Sequence, residues 1–463
     1  MGGQGIQGER IQVLKDGPVR AGEYVLYWMQ QSQRAEFNHA LEHGVELANE
    51  LDLPLVVVFG LMDNYPEGNA RHYRFLLEGL KDVQESLAAR RIKMLVKRGS
   101  PAEVAVLAGG KAALIVCDRG YLRHQKAWRR EVADRAECRV VQVESDVVVP
   151  VETVSGKAEY AARTIRPKLE KLVDRFLVGL DERPLTRSSL HLAFTGLNLQ
   201  ETDVLLNDLR LDRSVGPVDA IFQGGTAQAK RHLQTFLQKK LSHYSENRGQ
   251  PQTDSNSCLS MYLHFGHISP VYLAMQVTEW EHGGEGNRAA FLEELIVRRE
   301  LACNFVHYTG EYDSFASIPE WCRKTLGEHA GDEREFLYGR EQLENAATHD
   351  TYWNAAMKEM RITGYMHNHM RMYWGKKILE WCADPEQAFE VALALNNKYF
   401  LDGRDANSYA GVAWIFGLHD RPWKERPVFG KVRYMSAAGL ERKCDIGAYV
   451  GKVDALVREF GSD

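Results

Sequence analysis

"PLVVVFGLM", residues 54–62, carries no charge and no polar–apolar alternation. A strand with one wet face alternates; a strand without alternation is buried on both faces, as in a parallel sheet layered between helices. The run is too short to span a bilayer, so no membrane segment is expected there. Four comparable runs accompany it: "YVLYWM" (24–29), "IKMLVKRG" (92–99), "AALIVCD" (112–118) and "RVVQVES" (139–145). Between them, "QRAEFNHALEHGVELANEL" and "HYRFLLEGLKDVQESLAAR" have the apolar spacing of helices. This alternation predicts a doubly wound, Rossmann-like parallel-sheet α/β domain over 20–150. Ligands on such sheets lie beyond the carboxyl ends of the strands, where "CDRGYLR" (117–123) either lines a site or makes a plain turn. Neither G-x-G-x-x-G nor a P-loop pattern occurs, so no such nucleotide motif is claimed.

Residues 151–223 have the character of a connector, with a helix in "YAARTIRPKLEKLVDRFL" and a crossing loop in "DERPLTRSSLHLAFTGLNLQ". From "GGTAQAKRHLQTFLQKKL" (224–241) onward the pattern is helical, which predicts an all-α second domain over 224–463. Two domains suit a chain of 463 residues. The net charge of −5 excludes an overall basic nucleic-acid binder and leaves room for a local basic patch. Seven Cys without a C-x-x-C suggest reduced thiols and neither a disulfide framework nor a metal site. Residues 1–20 lack the apolar stretch of a signal peptide, so a cytoplasmic protein is expected.

Chemistry gathers in the second half. In "QTDSNSCLSMYLHFGHIS" (252–269), hydroxyls and free N–H groups at a helix start suit a diphosphate, or simply cap the helix. Glu294 and Arg298 are four residues apart, the spacing of a solvated ion pair, in apolar surroundings that also suit a carboxylate reserved for a ligand. "YMHNHMRMYWGKKILEW" (365–381) has no breaker cluster and predicts one helix. Arg371, Trp374, Ile378 and Trp381 share a face; Asn368, Met372 and Gly375 share the next. Trp374 and Trp381 are two turns, or about 10 Å, apart; such a pair relays electrons or is plain core. In "NNKYFLDGRDANSYAGVAWIFGLHDRPW" (396–423), Asp402 is a counter-ion for Arg371, and Asn396 and Asn407 offer amides to a heterocycle edge. From Leu418 to Lys443, seven Lys/Arg face three acids, with Trp423, Phe429 and Tyr434 interleaved. That is the footprint of a phosphate backbone or an ordinary charged surface.

The segments "YVLYWMQQSQRAEFNHAL", "RHYRFLLEGL", "YAARTIRPK", "LSMYLHFGHIS", "TGYMHNHMRMYWGKKILEW", "LDGRDANSYAGVAW" and "HDRPWKERPVFGKVRYM" together resemble the photolyase/cryptochrome flavoproteins, and within them the class II cyclobutane pyrimidine dimer photolyases. The likeness runs from about residue 20 to near the end. It implies an α/β domain, a long connector and a helical domain holding U-shaped FAD. Tyr244, Asn256, Ser257, Leu259 and Ser260 would wrap the phosphates and ribityl chain. Arg371 and Asp402 would pair beside the isoalloxazine, with Arg298 and Asn368 in the same site. Asn396 would sit near flavin N5, with Asn407 a less favoured candidate. Glu294, Met372 and Trp414 would contact the flipped dimer. Trp353, Trp374 and Trp381 would form the photoreduction chain; Arg421, Trp423, Arg433, Arg442 and Lys443 would hold DNA. Met261 stands where many relatives have Pro, which affects a helix start. Gly249 stands where some have Asn, which removes an amide from near the flavin.

The implied activity is light-dependent repair of cyclobutane pyrimidine dimers by electron transfer from excited FADH⁻, in a cytoplasmic, nucleoid-associated monomer acting on UV-damaged DNA. An antenna chromophore, deazaflavin or folate, is left open. Three alternatives remain. A cryptochrome photosensor would need a C-terminal extension for which the sequence leaves little room. A (6-4) photolyase would use His in the lesion pocket, for which His367 and His369 are available. A nucleotide-binding α/β protein with a helical interaction domain would be colourless.

Overall fold

The computed structural model describes residues 5–461. They form two compact units. The first contains the chain up to Gly156, Pro167–Gln234 and Leu259–Trp280; the second contains Lys157–Arg166, Thr235–Cys258 and the chain from Glu281 on. Of the 151–223 connector, only 157–166 thus groups with the second unit.

The first unit is built on six strands: β1 (Ile11–Lys15), β2 (Tyr24–Trp28), β3 (Leu55–Leu61), β4 (Lys93–Arg98), β5 (Ala112–Asp118) and β6 (Arg139–Val143). Their order is β1-β6-β5-β2-β3-β4. The five anticipated strands pair in parallel. β1 was not anticipated; it lies at the edge, antiparallel to β6. It is half-buried at most and follows a Gly-rich segment, so it lacks the continuous apolar signature of the inner strands.

Side-chain alternation along these strands feeds two cores. Val25, Tyr27, Val57 and Phe59 pack with Leu41, Val45, Leu77 and Leu80 of the helices His39–Glu50 and Ala70–Ala89. Leu26, Trp28, Val56 and Val58 pack on the other face with Ala102, Ala105 and Val132 of Pro101–Gly109 and Arg123–Arg135. Each fully buried aliphatic side chain contributes about 1.5–3 kcal/mol, so a polar residue at any of these positions would be severe.

The strand order reverses between β5 and β2, where a crevice is expected at the carboxyl ends. There the Asp118 carboxylate accepts the backbone N–H groups of Gln30, Gln31 and Ser32 at 2.9–3.2 Å. Gln125 donates to Gln31 at 2.6 Å, and the remaining space amounts to about 10 Å³. The start of "CDRGYLR" therefore ties the sheet's loops together.

Among the described residues the second unit has helices and no strand. The helices Thr351–Thr363, Asn368–Trp381, Pro385–Tyr399 and Ala406–Ile415 surround a core containing Trp353, Trp374, Met357 and Leu395, all 0% exposed. Asp350, Asp384 and Asp405 each cap a helix by accepting its first free N–H groups. Gly375 lets two helices meet: a Cβ there would lie 2.1 Å from Ile415 Cδ1.

Two helices differ from expectation. The 160–177 pattern is split into Ala162–Glu170 and Val173–Phe176, with Pro167 inside the first. The helix expected over 365–381 begins at Asn368. Gly364 takes the left-handed conformation, φ 71°, and ends the preceding helix, so Tyr365, Met366 and His367 form the link.

Candidate active site in the helical unit

The helix Asn368–Trp381 carries the centre of the candidate site. Its start is fixed by His367, whose Nδ1 accepts the His369 backbone N–H at 3.1 Å. That bond requires an unprotonated ring nitrogen. Burial, helped by the nearby His369 and Lys452, lowers the His367 pKa to about 3 and keeps it neutral.

One turn on, Arg371 Nη2 donates to Asp402 Oδ1 at 3.1 Å. The guanidinium also lies 3.7 Å from the Phe400 ring centroid. The two charged side chains keep 17% and 12% exposure, while Met370, Tyr373 and Trp374 beside them have none. The pair thus faces an opening in an otherwise closed interior.

Asn396, on the adjoining helix, is 2% exposed. Its Nδ2 donates to Asn397 Oδ1 at 2.9 Å and to Ser408 Oγ. Both amide hydrogens are used, which leaves Oδ1 as the acceptor it can offer a ligand. Asn407 is exposed and bound to Asp405 at 3.1 Å. Asn368, the first helical residue, is also exposed. Asn256 reaches this region by donating to Tyr365 Oη at 3.1 Å, while Lys240 holds the Asn256 carbonyl at 3.3 Å. Ser257 is half-buried next to it. Leu259 and Ser260 belong to the first unit, where Ser260 opens a five-residue helix that also contains the buried Met261. Gly249 is half-buried, with open space around it apart from Lys443 Cε at 4.0 Å.

Three buried nitrogens on this helix and its cap, His367 Nε2, His369 Nε2 and Trp374 Nε1, have no hydrogen-bond partner among the described residues. Orphaned buried polar atoms are rare without a ligand. Trp374, whose ring shares the Phe400 neighbour with Arg371, joins the Arg–Asp pair and the fixed amide in a set that suits a planar heteroaromatic ring, while His369 is turned toward Lys443 and Arg433. The FAD expected from the resemblance meets these requirements.

Glu294 does not pair with Arg298. Residues Glu293–Arg298 are π-helical, so neighbours on the surface are five apart instead of four. Arg298 accordingly binds Glu293 at 3.0 Å, and Glu293 also binds Arg166 at 2.7 Å. Arg298 is about half exposed, at 48%. Glu294 is left to Arg248, at 3.0 Å, and lies close to Tyr244. Burial, with the Glu294 charge adding to it, pushes the Tyr244 phenol up to about 12. Tyr244 also packs edge-on to Phe291, with centroids 5.5 Å apart.

The three tryptophans form a chain. Trp353 Nε1 donates to the Trp374 carbonyl at 2.9 Å, and the Trp353 and Trp381 rings are 5.6 Å apart. Trp374 stands 6.3 Å from Phe400, the ring under Arg371. At the far end Trp381 meets Tyr338 at 5.4 Å and the exposed His349 at 5.3 Å. Tyr338 Oη and His349 Nδ1 are hydrogen-bonded at 2.8 Å.

Met372 and Trp414 are half-buried on the crossing helices that Gly375 brings together. Around Trp414 runs a ladder of cations and rings. Lys376 Nζ lies 5.6 Å and Arg433 Cζ 5.9 Å from its centroid. Arg433 is also 5.1 Å and Arg421 5.2 Å from Trp423. Trp423 is 40% exposed, a position suited to contact with a partner. Arg442 and Lys443 are exposed at the end of the helix Ala437–Lys443.

Sequence reasoning missed Phe400, Ser408, Lys376, Tyr338 and His349. The first two lie in the quoted 396–423 segment and could have been found there. Tyr338 and His349 lie in irregular chain with no periodic signal.

Three comparisons bear on this geometry. The family model for DNA photolyase matches residues 25–187. The deoxyribodipyrimidine photo-lyase of Methanothermobacter thermautotrophicus is 49% identical over 98% of this chain and 100% of its own. A bacterial class III photolyase from Agrobacterium tumefaciens superposes with a TM-score of 0.73 at 18% identity, covering 93% of this chain and 86% of its own. An archaeal photolyase from Sulfolobus tokodaii, described with two FAD molecules that imply a novel light-harvesting cofactor, gives a TM-score of 0.67 at 15% identity, with 94% of this chain and 89% of its own covered.

Proposed function

Since this chain belongs to the DNA photolyase family, we propose that its helical unit holds FAD against Arg371 and Asp402 and receives the lesion beside Glu294, Met372 and Trp414. The enzyme repairs cyclobutane pyrimidine dimers in DNA in a light-dependent reaction. The reading is of the class II type, acting as a monomer in the cytoplasm at the nucleoid. Among the described residues no helix is long and apolar enough to cross a membrane.

The observation that carries this assignment is the largely buried Arg371–Asp402 pair with the orphaned Trp374 indole nitrogen in its neighbourhood. When bound, reduced and photoexcited FAD supplies one electron to the dimer and recovers it after the cyclobutane ring opens. The protein's residues set the conditions. Arg371 offers its guanidinium to the electron-rich edge of the ring system, and Asp402 fixes its orientation. Asn396 presents Oδ1 because Asn397 and Ser408 hold both amide hydrogens. Tyr244, Asn256 and Ser257 serve the diphosphate and ribityl chain, with Asn368 at the helix start.

A dimer inside a duplex cannot reach a buried cofactor and must leave the stack. Its poor pairing and stacking lower that cost below that of an intact base. Trp414 offers a stacking face and Met372 a soft apolar contact. Glu294 supplies a hydrogen bond to a thymine edge, for which it must leave Arg248. Trp423, Arg421 and Arg433 fill the space that the dimer vacates, and Arg442 and Lys443 bind phosphates. Trp374, Trp353 and Trp381 carry electrons inward to restore the reduced cofactor.

An antenna chromophore, deazaflavin or folate, belongs to the first unit in this reading. The crevice beside Asp118 receives it only if Gln125 and Trp128 move. An absorbance spectrum of the purified protein separates these from flavin alone.

The assignment of the lesion pocket is tested with Trp414→Ala. It should retain flavin and lose preference for dimer-containing over intact DNA in the dark. Unchanged preference would remove Trp414 from the pocket.

A further inference from the structure

The cation–aromatic ladder beside Trp414 sits at the base of a hairpin. Trp423 N–H donates to the Lys431 carbonyl at 2.8 Å, and Arg426 and Gly430 exchange backbone bonds at 3.0 and 2.9 Å. The tip is tightly folded: Val428 and Gly430 have φ of 66° and 51°, and a Cβ at Gly430 would lie 2.3 Å from Thr325 Oγ1. This tip is gripped by the helix Glu320–Glu328 and the turn after it. Thr325 Oγ1 accepts the Lys431 N–H at 3.1 Å, and Asp332 Oδ2 accepts the Val428 N–H at 2.8 Å.

His329 closes the grip. Its Nδ1 is 2.6 Å from Asp332 Oδ2, and its Nε2 is 3.2 Å from Glu425 Oε1 on the hairpin. An imidazole with a carboxylate on each nitrogen satisfies both bonds only as the doubly protonated cation. The neutral ring has one donor and must leave one carboxylate without a bond.

We propose that His329 is a positioning residue for lesion recognition: as a cation it clasps the hairpin to its neighbouring helix and thereby holds Arg421, Trp423 and Arg433 in the ladder that ends at Trp414. This rests on the reading of those residues as DNA contacts. Asp332 is engaged by both His329 and Val428, so loss of the His329 proton frees either Glu425 on the hairpin or the carboxylate that anchors Val428.

The charged groups around the ring are of both signs, with Arg426 opposing the cation and Arg334 acting on Asp332. Asp332 and Glu425 face it directly. Lys431 is 3.9 Å from Glu425, while Arg426 and Glu333 line the same hollow. Hydrogen bonds that the ring donates to Asp332 and Glu425 raise the His329 pKa above its ordinary 6.5. The clasp is therefore complete below pH 6.5 and is lost as pH climbs through the raised value.

The test uses the flavin-loaded enzyme in the dark and measures the Kd for an oligonucleotide with one thymine dimer between pH 6 and 9, at fixed salt. The wild type should weaken about fivefold. His329→Gln should be weak at pH 6 already and flat above it, while His329→Arg, charged throughout, should stay tight at pH 9. Repair of saturating DNA under light should match the wild type in His329→Gln, which places the effect on KM and not kcat. A His329→Gln profile that superposes on the wild type would overturn the proposal. If His329→Gln does not fold, Glu425→Gln opens the same clasp from an exposed position and should also flatten the profile. A wild type that shows no preference for the dimer would reject the DNA-contact reading itself, a different outcome from a pH-independent preference.

Discussion

Trp353 hydrogen-bonds through its indole N–H to the backbone carbonyl of Trp374 at 2.9 Å, and its ring stands edge-on to Trp381 at 5.6 Å. The three buried indoles thus connect the Phe400–Arg371 neighbourhood to Tyr338 and His349 through ring contacts of 5.3–6.3 Å and the Trp353–Trp374 hydrogen bond. If this is the reduction path, Trp353→Phe interrupts its centre. Light-driven reduction of the oxidised flavin with an external donor should slow at least about tenfold, or ~1.4 kcal/mol of barrier. Repair by chemically pre-reduced enzyme should be unaffected. Flavin bleaching at 450 nm checks the first and dimer loss the second.

Arg371 and Asp402 are mutually dependent. Removing one partner of a largely buried pair leaves the other charge uncompensated, which is worth 3–5 kcal/mol when burial is complete. With the residual exposure here, Arg371→Met should destabilise by about 2 kcal/mol. It should also purify with less than half the flavin of the wild type. Thermal unfolding and the flavin-to-protein absorbance ratio report these separately.

Lys376 is 1% exposed and donates to the Ile415 carbonyl beside Trp414. Burial lowers its pKa from 10.5 to about 7, against a smaller opposing effect of Asp420. Between these values the unfolded chain binds the extra proton, so this group's contribution to stability rises with pH from about 7 to 10.5. Lys376→Met removes that slope. The stability difference between variant and wild type should shift by on the order of 2–4 kcal/mol from pH 6 to 10. Parallel urea-unfolding profiles across that range would contradict it.

Glu294 is held by Arg248 on a π-helical turn and is partly exposed. Glu294→Gln keeps a hydrogen bond and removes the charge. Repair at saturating dimer DNA should fall roughly tenfold, ~1.4 kcal/mol, with flavin content and photoreduction unchanged. Single-turnover dimer cleavage is the relevant readout.

The central sheet was legible because strands buried on both faces leave continuous apolar runs. β1 was not, since an edge strand with half-exposed side chains imposes no pattern. Helix 365–381 was over-extended by three residues although Gly364 marked the end of its predecessor. The Arg371–Asp402 pairing could be anticipated from charge complementarity and the family likeness. The partners of Glu294 could not, because a π-turn changes the spacing rule without a signature in the residues themselves. Lys376 carries no signal of burial in the sequence, since its position beside Ile415 depends on the close approach that Gly375 permits.

The central claim is that light and the bound, reduced flavin together remove dimers from DNA. The direct measurement is to mix pre-reduced enzyme with dimer-containing DNA, divide the sample between blue light and darkness, and count remaining dimers. The account predicts loss of dimers in the light alone, with intact thymines recovered and the DNA backbone unbroken. Equal dimer counts in light and darkness, from protein that carries flavin, would contradict it.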